Sequence, residues 1–295
     1  MEVITWNDSR FPENLKMIKN PPKFLYVDGN VALLKDPIIS VIGSRCCSEN
    51  GKNLARKFTK ELVFQDITIA SGMALGIDTI AHETALQEKG KTIAVLPNGL
   101  KHIFPKENKS LYQQIIKNGG LVLTEYPPDV KAKSQYFLER NRIVSGLALG
   151  VLVIEAAYRS GTSVTAKLAK EQGKKVFALP HDVSDKHGKG TNRLIQKGAK
   201  AVVCTKDLID AFPFLSYKEP PFFKEIILKN SKKKVCTNPD YYEIYQLISD
   251  TPISLDMIYK KSKEPITQIN EILLMLELEG LIEKVPGGYV CILEK

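Results

Sequence analysis

Between Ile38 and Phe212, short apolar runs alternate with longer amphipathic segments, and this alternation constrains the fold more than any other feature of the chain. Apolar strands that alternate with amphipathic helices form a parallel sheet covered on both faces, so we predict an α/β fold with a doubly wound, mostly parallel sheet. The predicted strands are 38–43, 67–71, 92–96, 121–124, 150–154, 175–179 and 201–203. The predicted helices are 49–65, 78–89, 108–118, 136–149, 162–172, 191–197 and 206–212.

The flanking segments differ from this central domain, 38–212. Residues 1–37 read as an irregular N-terminal collar packed on it, and residues 213–239, rich in lysine and proline, read as a basic linker. Residues 240–295 have the pattern of a small winged-helix domain. Its predicted elements are helices over 241–249, 254–261 and 265–279 and a hairpin of 281–285 with 289–293.

Charge is unevenly distributed along the chain. The 295 residues carry a net charge of +9, but residues 240–295 hold five lysines and ten acidic residues, a net of −5 that leaves +14 for residues 1–239. A polyanionic partner is therefore expected on the basic part. The third helix of the winged-helix domain offers no cation, which favours a protein-contacting or regulatory module over a DNA reader.

No apolar run is long enough to cross a bilayer, and Met1-Glu-Val-Ile-Thr-Trp lacks the pattern of a signal peptide, so we expect a cytoplasmic protein without a membrane span. The five cysteines indicate neither a disulfide framework nor a metal site. Cys46 and Cys47 lie near a predicted helix N-terminus, which lowers thiol pKa values in redox switches. We interpret them instead as small residues of a tight turn, because no resolving partner is apparent.

Two glycine-opened turns follow predicted strands. Ser71, Gly72 and Gly76 lie in the turn from strand 67–71 to a helix for which Asp78 is the expected N-cap, and Gly43, Ser44 and Arg45 form the turn after strand 38–43. Unpaired backbone N–H groups and the helix dipole make such turns anion sites, most often for phosphate. The alternative is that these glycines only permit tight geometry.

Further candidates follow other strands. Gly161 and Thr162 open a helix and offer another anion site. Lys106 lies in a loop that reaches the same sheet edge, although an ordinary solvated lysine is the alternative.

The segment 131–142 mixes cations with Tyr136 and Phe137, a composition suited to single-stranded nucleic acid, because bases stack on rings while Lys and Arg contact phosphates. Alternatively, these two aromatics belong to the core and the arginines of the segment pair with Glu139 and Glu155. The candidate residues here are Lys133, Phe137, Arg140, Asn141 and Arg142.

Six motifs occur in the order seen in the DNA-processing protein A (DprA, or Smf) family, and segments near both ends of the chain also resemble it. The resemblance covers nearly the whole chain. The motifs are Gly43-Ser-Arg45, Ser71-Gly-Met-Ala-Leu-Gly-Ile-Asp78, Arg140-Asn-Arg-Ile-Val-Ser-Gly146, Ser160-Gly-Thr162 with Thr165-Ala166, Val176-Phe-Ala-Leu-Pro180, and Gly190-Thr-Asn-Arg-Leu-Ile195 with Gly198-Ala199.

The resemblance implies an extended Rossmann-type domain that dimerises and binds single-stranded DNA, and it implies no catalysis. It further implies loading of the RecA recombinase onto incoming DNA during natural transformation. Arg45 and Lys106 match DNA-contacting residues of the family, and Phe137 matches an aromatic preceded by a lysine. Lys133 is the nearest lysine to that position, which holds Ser134. The family's dimer contacts correspond to helices 162–172 and 206–212.

Two enzyme classes are alternatives on such a sheet. A phosphoribohydrolase of the lysine-decarboxylase-like family also holds phosphate in glycine turns, but it needs a catalytic glutamate in the helix after its Pro-Gly-Gly-x-Gly-Thr turn. Here that helix begins Ser163-Val-Thr-Ala166. A dinucleotide enzyme is disfavoured because Gly43-Ser-Arg-Cys-Cys-Ser48 is not GxGxxG, so no cofactor is expected.

Overall fold

The computed structural model describes residues 1–158, 160–219, 236, 238–249, 252–262, 264–285 and 287–292, which form two compact units, Met1–Lys218 and Glu219–Lys295. The strands of the first unit are β1 (Glu2–Thr5), β2 (Phe24–Gly29), β3 (Ile38–Ile42), β4 (Thr68–Ser71), β5 (Thr92–Val95), β6 (Leu121–Thr124), β7 (Gly150–Val153), β8 (Lys175–Ala178) and β9 (Lys200–Ala201). Its α-helices are α1 (Glu13–Lys16), α2 (Glu49–Phe64), α3 (Ile77–Gln87), α4 (Lys109–Lys117), α5 (Ser134–Leu147), α6 (Gly161–Glu171), α7 (Lys189–Gln196) and α8 (Thr205–Ile209).

All nine strands form one sheet in the order β1-β2-β6-β5-β4-β3-β7-β8-β9. The seven strands β3 to β9 all run parallel to their neighbours in the sheet, which confirms the predicted doubly wound α/β class. Ile39 of β3 pairs with Ile69 on one side and with Gly150 on the other, so the chain order reverses at β3. Such a reversal opens a crevice beyond the carboxyl ends of the strands.

The expectation of irregular structure over residues 1–37 was wrong, because this segment contains β1, α1, β2 and a 3-10 segment, Val31–Lys35. β2 pairs antiparallel with β6, and β1 pairs antiparallel with β2, so this segment extends the sheet itself. Met1 adds an ion pair from its amino group to Asp28, 3.5 Å apart. The subdivision into 1–37, 38–212, 213–239 and 240–295 stays a prediction, and most of its linker, residues 220–235 and 237, lies outside the described residues.

The core lies on both faces of the sheet, as the period of two in a strand dictates. In β3, Ile39 and Val41 pack into the apolar layer with α2 and α3, whereas Ile38 and Ile42 pack into the opposite layer with α5 and α6. All five residues of β3 are buried. The site is therefore built on a strand that is covered on both faces and cannot shift independently of the core.

Helix starts define where the turns at the sheet edge end. Ser48 is the N-cap of α2, and its hydroxyl accepts a hydrogen bond from the amide of Gly51 at 2.9 Å. The predicted N-cap role of Asp78 was wrong, because Gly76, at φ +80°, occupies that position and Asp78 lies inside the first turn of α3. Its carboxylate turns inward and is buried.

The second unit is a winged helix, as predicted, with α9 (Pro239–Leu247), α10 (Leu255–Lys261), α11 (Ile266–Leu278) and an antiparallel hairpin of β10 (Ile282–Val285) and β11 (Gly288–Cys291). Ile269, Leu273 and Leu276 of α11 are buried in its own apolar core. Across both units, none of the helices that the structure describes has the length and apolar character needed to cross a membrane.

Candidate functional site

A cleft of about 380 Å³ lies at the carboxyl edge of the sheet, beside the strand where the chain order reverses. It is bounded by the turn after β3, the turn after β4 and the first turns of α5 and α6. Nine of the predicted site residues line it: Gly43, Ser44, Arg45, Gly72, Phe137, Arg140, Asn141, Gly161 and Thr162. Five do not: Ser71, Gly76, Lys106, Lys133 and Arg142.

The floor of the cleft, defined as Gly72, Asp78 and Arg140, is buried and held by internal contacts. Arg140 is 3% exposed, and its guanidinium donates hydrogen bonds to the carbonyl oxygens of Gly72 and Val95. The carboxylate of Asp78 accepts from the amide of Gly72 at 3.1 Å. Gly72 has no space for a side chain, because an added Cβ would lie 2.7 Å from both the Arg140 guanidinium and Asp78 Oδ2.

Burial dominates the electrostatics of the floor. It lowers the pKa of Arg140 to about 10, against the attraction of Asp78, and it raises the pKa of the Asp78 carboxyl, against the attraction of Arg140. Arg140 therefore stays charged at neutral pH and lends a positive field to the cleft while its donors serve carbonyl groups. Asp78 is the one acidic side chain among the described residues that line the cleft.

The rim of the cleft, defined as Ser44, Arg45, Phe137, Gly161 and Thr162, is accessible. Arg45 is exposed, and its guanidinium carbon lies 5.3 Å from the ring centroid of Phe137. A cation held over an aromatic face offers donors to a phosphate beside a surface on which a base can stack.

The start of α6 completes the rim. Ser160 caps this helix by accepting from the amide of Ser163 at 3.4 Å, and Thr162 Oγ1 donates to the carbonyl oxygen of Gly43 at 2.9 Å. A Cβ added to Gly161 would meet nothing within 4 Å, so the helix start faces open space. The positive end of the helix dipole thus faces the cleft, an arrangement that favours an anion.

Ser71 and Gly76 support the turns rather than line the cleft. The fully buried hydroxyl of Ser71 donates to the carbonyl oxygen of Val41 at 2.7 Å. A Cβ on Gly76 would lie 2.3 Å from the carbonyl oxygen of Ser44, and the amide of Ile77 donates to that same oxygen at 3.2 Å. The turn after β4 therefore fixes the conformation of the Gly43-Ser-Arg45 turn.

Two further aromatic residues, which were not among the predicted site residues, extend the rim. Phe104, 45% exposed, packs edge-to-face on Phe137 with ring centroids 5.3 Å apart. Tyr126 stacks on Tyr136 at 4.3 Å, and Lys133 Nζ lies 5.5 Å from the Tyr136 ring. Phe104 and Tyr126 follow β5 and β6, so inspecting the aromatics after each strand would have found them.

The remaining cations lie beside the cleft. Arg142 forms an ion pair with Glu125 at 2.5 Å, and each side chain is 16% exposed, so its charge is largely neutralised. The alternative pairing of both arginines with Glu139 and Glu155 is wrong, since Arg140 binds carbonyls and Arg142 binds Glu125. Lys106 is exposed at the start of a short 3-10 segment, Lys106–Asn108.

The adjacent cysteines Cys46 and Cys47 differ in exposure. Cys46 is exposed and lines the cleft, whereas Cys47 is half-buried. Burial, followed by the charge of Glu155, raises the pKa of the Cys47 thiol. A raised pKa disfavours the reactive thiolate.

Sequence comparison now identifies the chain. Residues 2–213 match the family model of DNA recombination-mediator protein A. The chain belongs to this family. Residues 234–288 match the model of the DprA winged helix domain, which agrees with the second unit.

Relatives and solved structures agree with this assignment. Protein Smf of Escherichia coli is 37% identical over 96% of this chain and 75% of its own length, and DNA processing protein DprA of Streptococcus pneumoniae is 44% identical over 70% and 73%. The Streptococcus pneumoniae DprA crystal structure superposes with a TM-score of 0.68 at 42% identity, over 72% of this chain and 75% of that one.

A structure of DNA processing protein A from Helicobacter pylori, described as showing a unique single-stranded DNA binding mode, superposes with a TM-score of 0.64. It is 34% identical, over 72% of this chain and 95% of that one.

Proposed function

We propose that this protein is a single-stranded DNA-binding recombination mediator that protects incoming DNA and loads RecA during natural transformation. The observation that carries the proposal is the rim of the cleft, where exposed Arg45 lies over Phe137 beside the open start of α6. Phosphates would bind Arg45 and the backbone amides of the turns, while bases stack on Phe137 and Phe104. The Helicobacter pylori relative, described as binding single-stranded DNA, supports the same ligand class.

The proposal includes sequence-tolerant binding. The protein would bind the DNA backbone through charge and the bases through stacking, so few hydrogen bonds would distinguish one base from another. The affinity should therefore depend strongly on salt concentration and weakly on DNA sequence. Lys106 and Lys133 are included as DNA contacts because both are exposed, and Lys133 lies at a stacked aromatic pair.

The proposal also includes a cytoplasmic homodimer that contacts RecA and performs no chemistry on its ligand. Helices α6 and α8 are the proposed dimer contacts. Asp78 supports the proposal that no reaction is catalysed, because this residue is 7% exposed and its carboxylate already accepts a hydrogen bond from the amide of Gly72. A group so placed cannot act on a nucleotide without rearrangement of the floor.

Gel-shift titration of the full chain tests the proposal with single-stranded DNA, duplex DNA and RNA at two salt concentrations. We expect preference for the single strand and binding that weakens steeply with salt. Base release from nucleoside monophosphates is measured with the same preparation. Release at catalytic rates, together with weak binding of single strands, would instead support the phosphoribohydrolase alternative.

RecA loading needs its own assay. RecA-dependent ATP hydrolysis on single-stranded DNA is followed with and without the protein, and a shorter lag is expected with it. Unchanged kinetics, with single-strand binding retained, would remove RecA loading from the proposal while leaving DNA binding intact.

A further inference from the structure

A second cluster of functional groups lies at the same sheet edge, one strand further along. Glu155 follows β7, and His181 and Asp185 follow β8. One ring nitrogen of His181 and one carboxylate oxygen from each acidic residue lie within 4.8 Å of one another. The cysteine spacing predicts no metal site, and Glu155, His181 and Asp185 form no recognisable sequence motif.

His181 is held in a fixed orientation by its surroundings. Asn192 donates to its carbonyl oxygen at 2.9 Å and accepts from its amide at 3.0 Å. Gly188 packs against the ring, since an added Cβ would lie 2.4 Å from His181 Cγ. His181 Nε2 lies 2.8 Å from the carbonyl oxygen of Ile154, which can only accept, so Nε2 carries the proton. The other ring nitrogen, Nδ1, is left for a second partner.

The two carboxylates are also oriented by hydrogen bonds. Asp185 Oδ1 accepts from the amide of His187 at 2.8 Å, which leaves Oδ2 facing His181 Nδ1 at 3.6 Å. Glu155 Oε2 accepts from the amide of Ser48 at 3.0 Å, and Oε1 accepts from the Ser48 hydroxyl. Metal-binding histidines commonly donate their second N–H to a carbonyl, and metal-binding carboxylates are commonly hydrogen-bonded in this way.

The ring nitrogen Nδ1 of His181 faces the carboxylates of the cluster. The side chain of His181 is 2% exposed, and its Nδ1 forms no hydrogen bond among the described residues. A cation bound between Nδ1 and the two carboxylates would be attracted by both negative charges and could accept the Nδ1 lone pair. The 3.6 Å between Nδ1 and Asp185 Oδ2 is close to the roughly 3.3 Å that separates two ligands of a tetrahedral zinc ion.

We propose that Glu155, His181 and Asp185 bind one divalent transition-metal ion, with zinc as the best match. One imidazole and two carboxylates suit zinc better than magnesium, which prefers oxygen ligands alone. Closing the 4.8 Å spread to the ligand spacing of zinc requires a movement of about 1.5 Å. The ion would tie the loop after β8 to the start of α2, three residues beyond Arg45.

Isothermal titration calorimetry of the full chain, stripped with a chelator and then titrated with zinc chloride, tests this site. We expect one zinc ion per chain, at least tenfold weaker binding for His181→Ala and Asp185→Asn, and no comparable heat from magnesium chloride. His187→Ala is the matched control in the same loop and should bind zinc as the parent does.

Circular dichroism of the zinc-free variants checks that they fold. Because His181→Ala and Asp185→Asn change different residues, a local folding defect in one of them would not decide the result. A Cys46→Ser variant checks the exposed thiol and should keep the zinc ion. The proposal is overturned if the parent binds no zinc, if His181→Ala and Asp185→Asn both bind as tightly as the parent, or if only Cys46→Ser loses the ion.

Discussion

The floor and the rim of the cleft contain the same kinds of residue in opposite surroundings. Arg140 in the floor is 3% exposed and donates to two carbonyl groups, whereas Arg45 at the rim is exposed and lies over an aromatic ring. Gly72 has no space for a methyl group, whereas Gly161 borders open space. Burial therefore separates residues that support the cleft from residues that can contact a ligand. Substitutions in the floor should reduce the stability of the protein, and substitutions at the rim should reduce its affinity for DNA.

Replacing Arg140 with alanine should have the largest effect. The change leaves Asp78 buried without its compensating charge and two carbonyl groups without donors, so we expect a loss of about 3–5 kcal/mol in the free energy of unfolding. Urea denaturation measures it, with exposed Arg56→Ala as the control. If Arg140→Ala kept parental stability and lost only DNA affinity, Arg140 would belong to the rim.

Acid should destabilise the protein through His82 on α3, because burial, followed by the charge of Arg140, disfavours its protonation. Burial lowers the pKa of His82 to about 3 from its ordinary 6.5, so the unfolded chain takes up a proton that the folded chain refuses. Stability should therefore fall as the pH drops from about 6.5 towards 3, by roughly 2–3 kcal/mol at pH 4.5.

Urea denaturation at pH 6.5 and 4.5 measures this loss for the parent and for His82→Asn. Asparagine keeps a donor towards Thr92, whose hydroxyl lies 2.6 Å from His82 Nδ1, but it does not titrate. The variant should lose less stability on acidification than the parent. Equal losses would assign the acid sensitivity to other groups.

Replacing Arg45 with alanine should weaken single-strand binding by about 1–3 kcal/mol, as expected for a lost charge-assisted contact, with little change in stability. Fluorescence anisotropy with a labelled oligonucleotide measures the affinity. Arg56→Ala removes the same charge from an exposed position on α2 outside the cleft and should have a much smaller effect. Parental affinity in a folded Arg45→Ala protein would refute the proposed contact.

Replacing Gly161 with alanine should have the smallest effect. The added methyl group enters open space, so stability should change by less than about 0.5 kcal/mol while affinity for the single strand falls by about 0.5–1 kcal/mol. Gly72→Ala is the contrasting variant, because its methyl group would overlap Arg140 and Asp78 and destabilise the protein. Similar stability losses in both variants would remove the distinction between floor and rim.

The seven parallel strands and the turns between them could be predicted from the sequence, because the pattern of apolar residues and the positions of glycines depend only on neighbouring residues in the chain. It could not predict the roles of Arg140 and Arg142, which lie on one helix two residues apart. Their roles depend on which loops pack against them, and the carbonyl partners of Arg140 lie 68 and 45 residues earlier in the chain. β1 was missed for a related reason, because it pairs with a strand some twenty residues away and half of Val3 is exposed.

The two edge strands of the nine-stranded sheet, β1 and β9, affect how copies of the protein can associate. β1 is four residues long with Glu2 in an ion pair to Arg10, and β9 is two residues long and begins with Lys200. Short, charged border strands discourage one sheet from adding to another through backbone hydrogen bonds. Copies gathered on one long polymer would therefore not join sheet to sheet, and any association between them would have to use side chains on the helices.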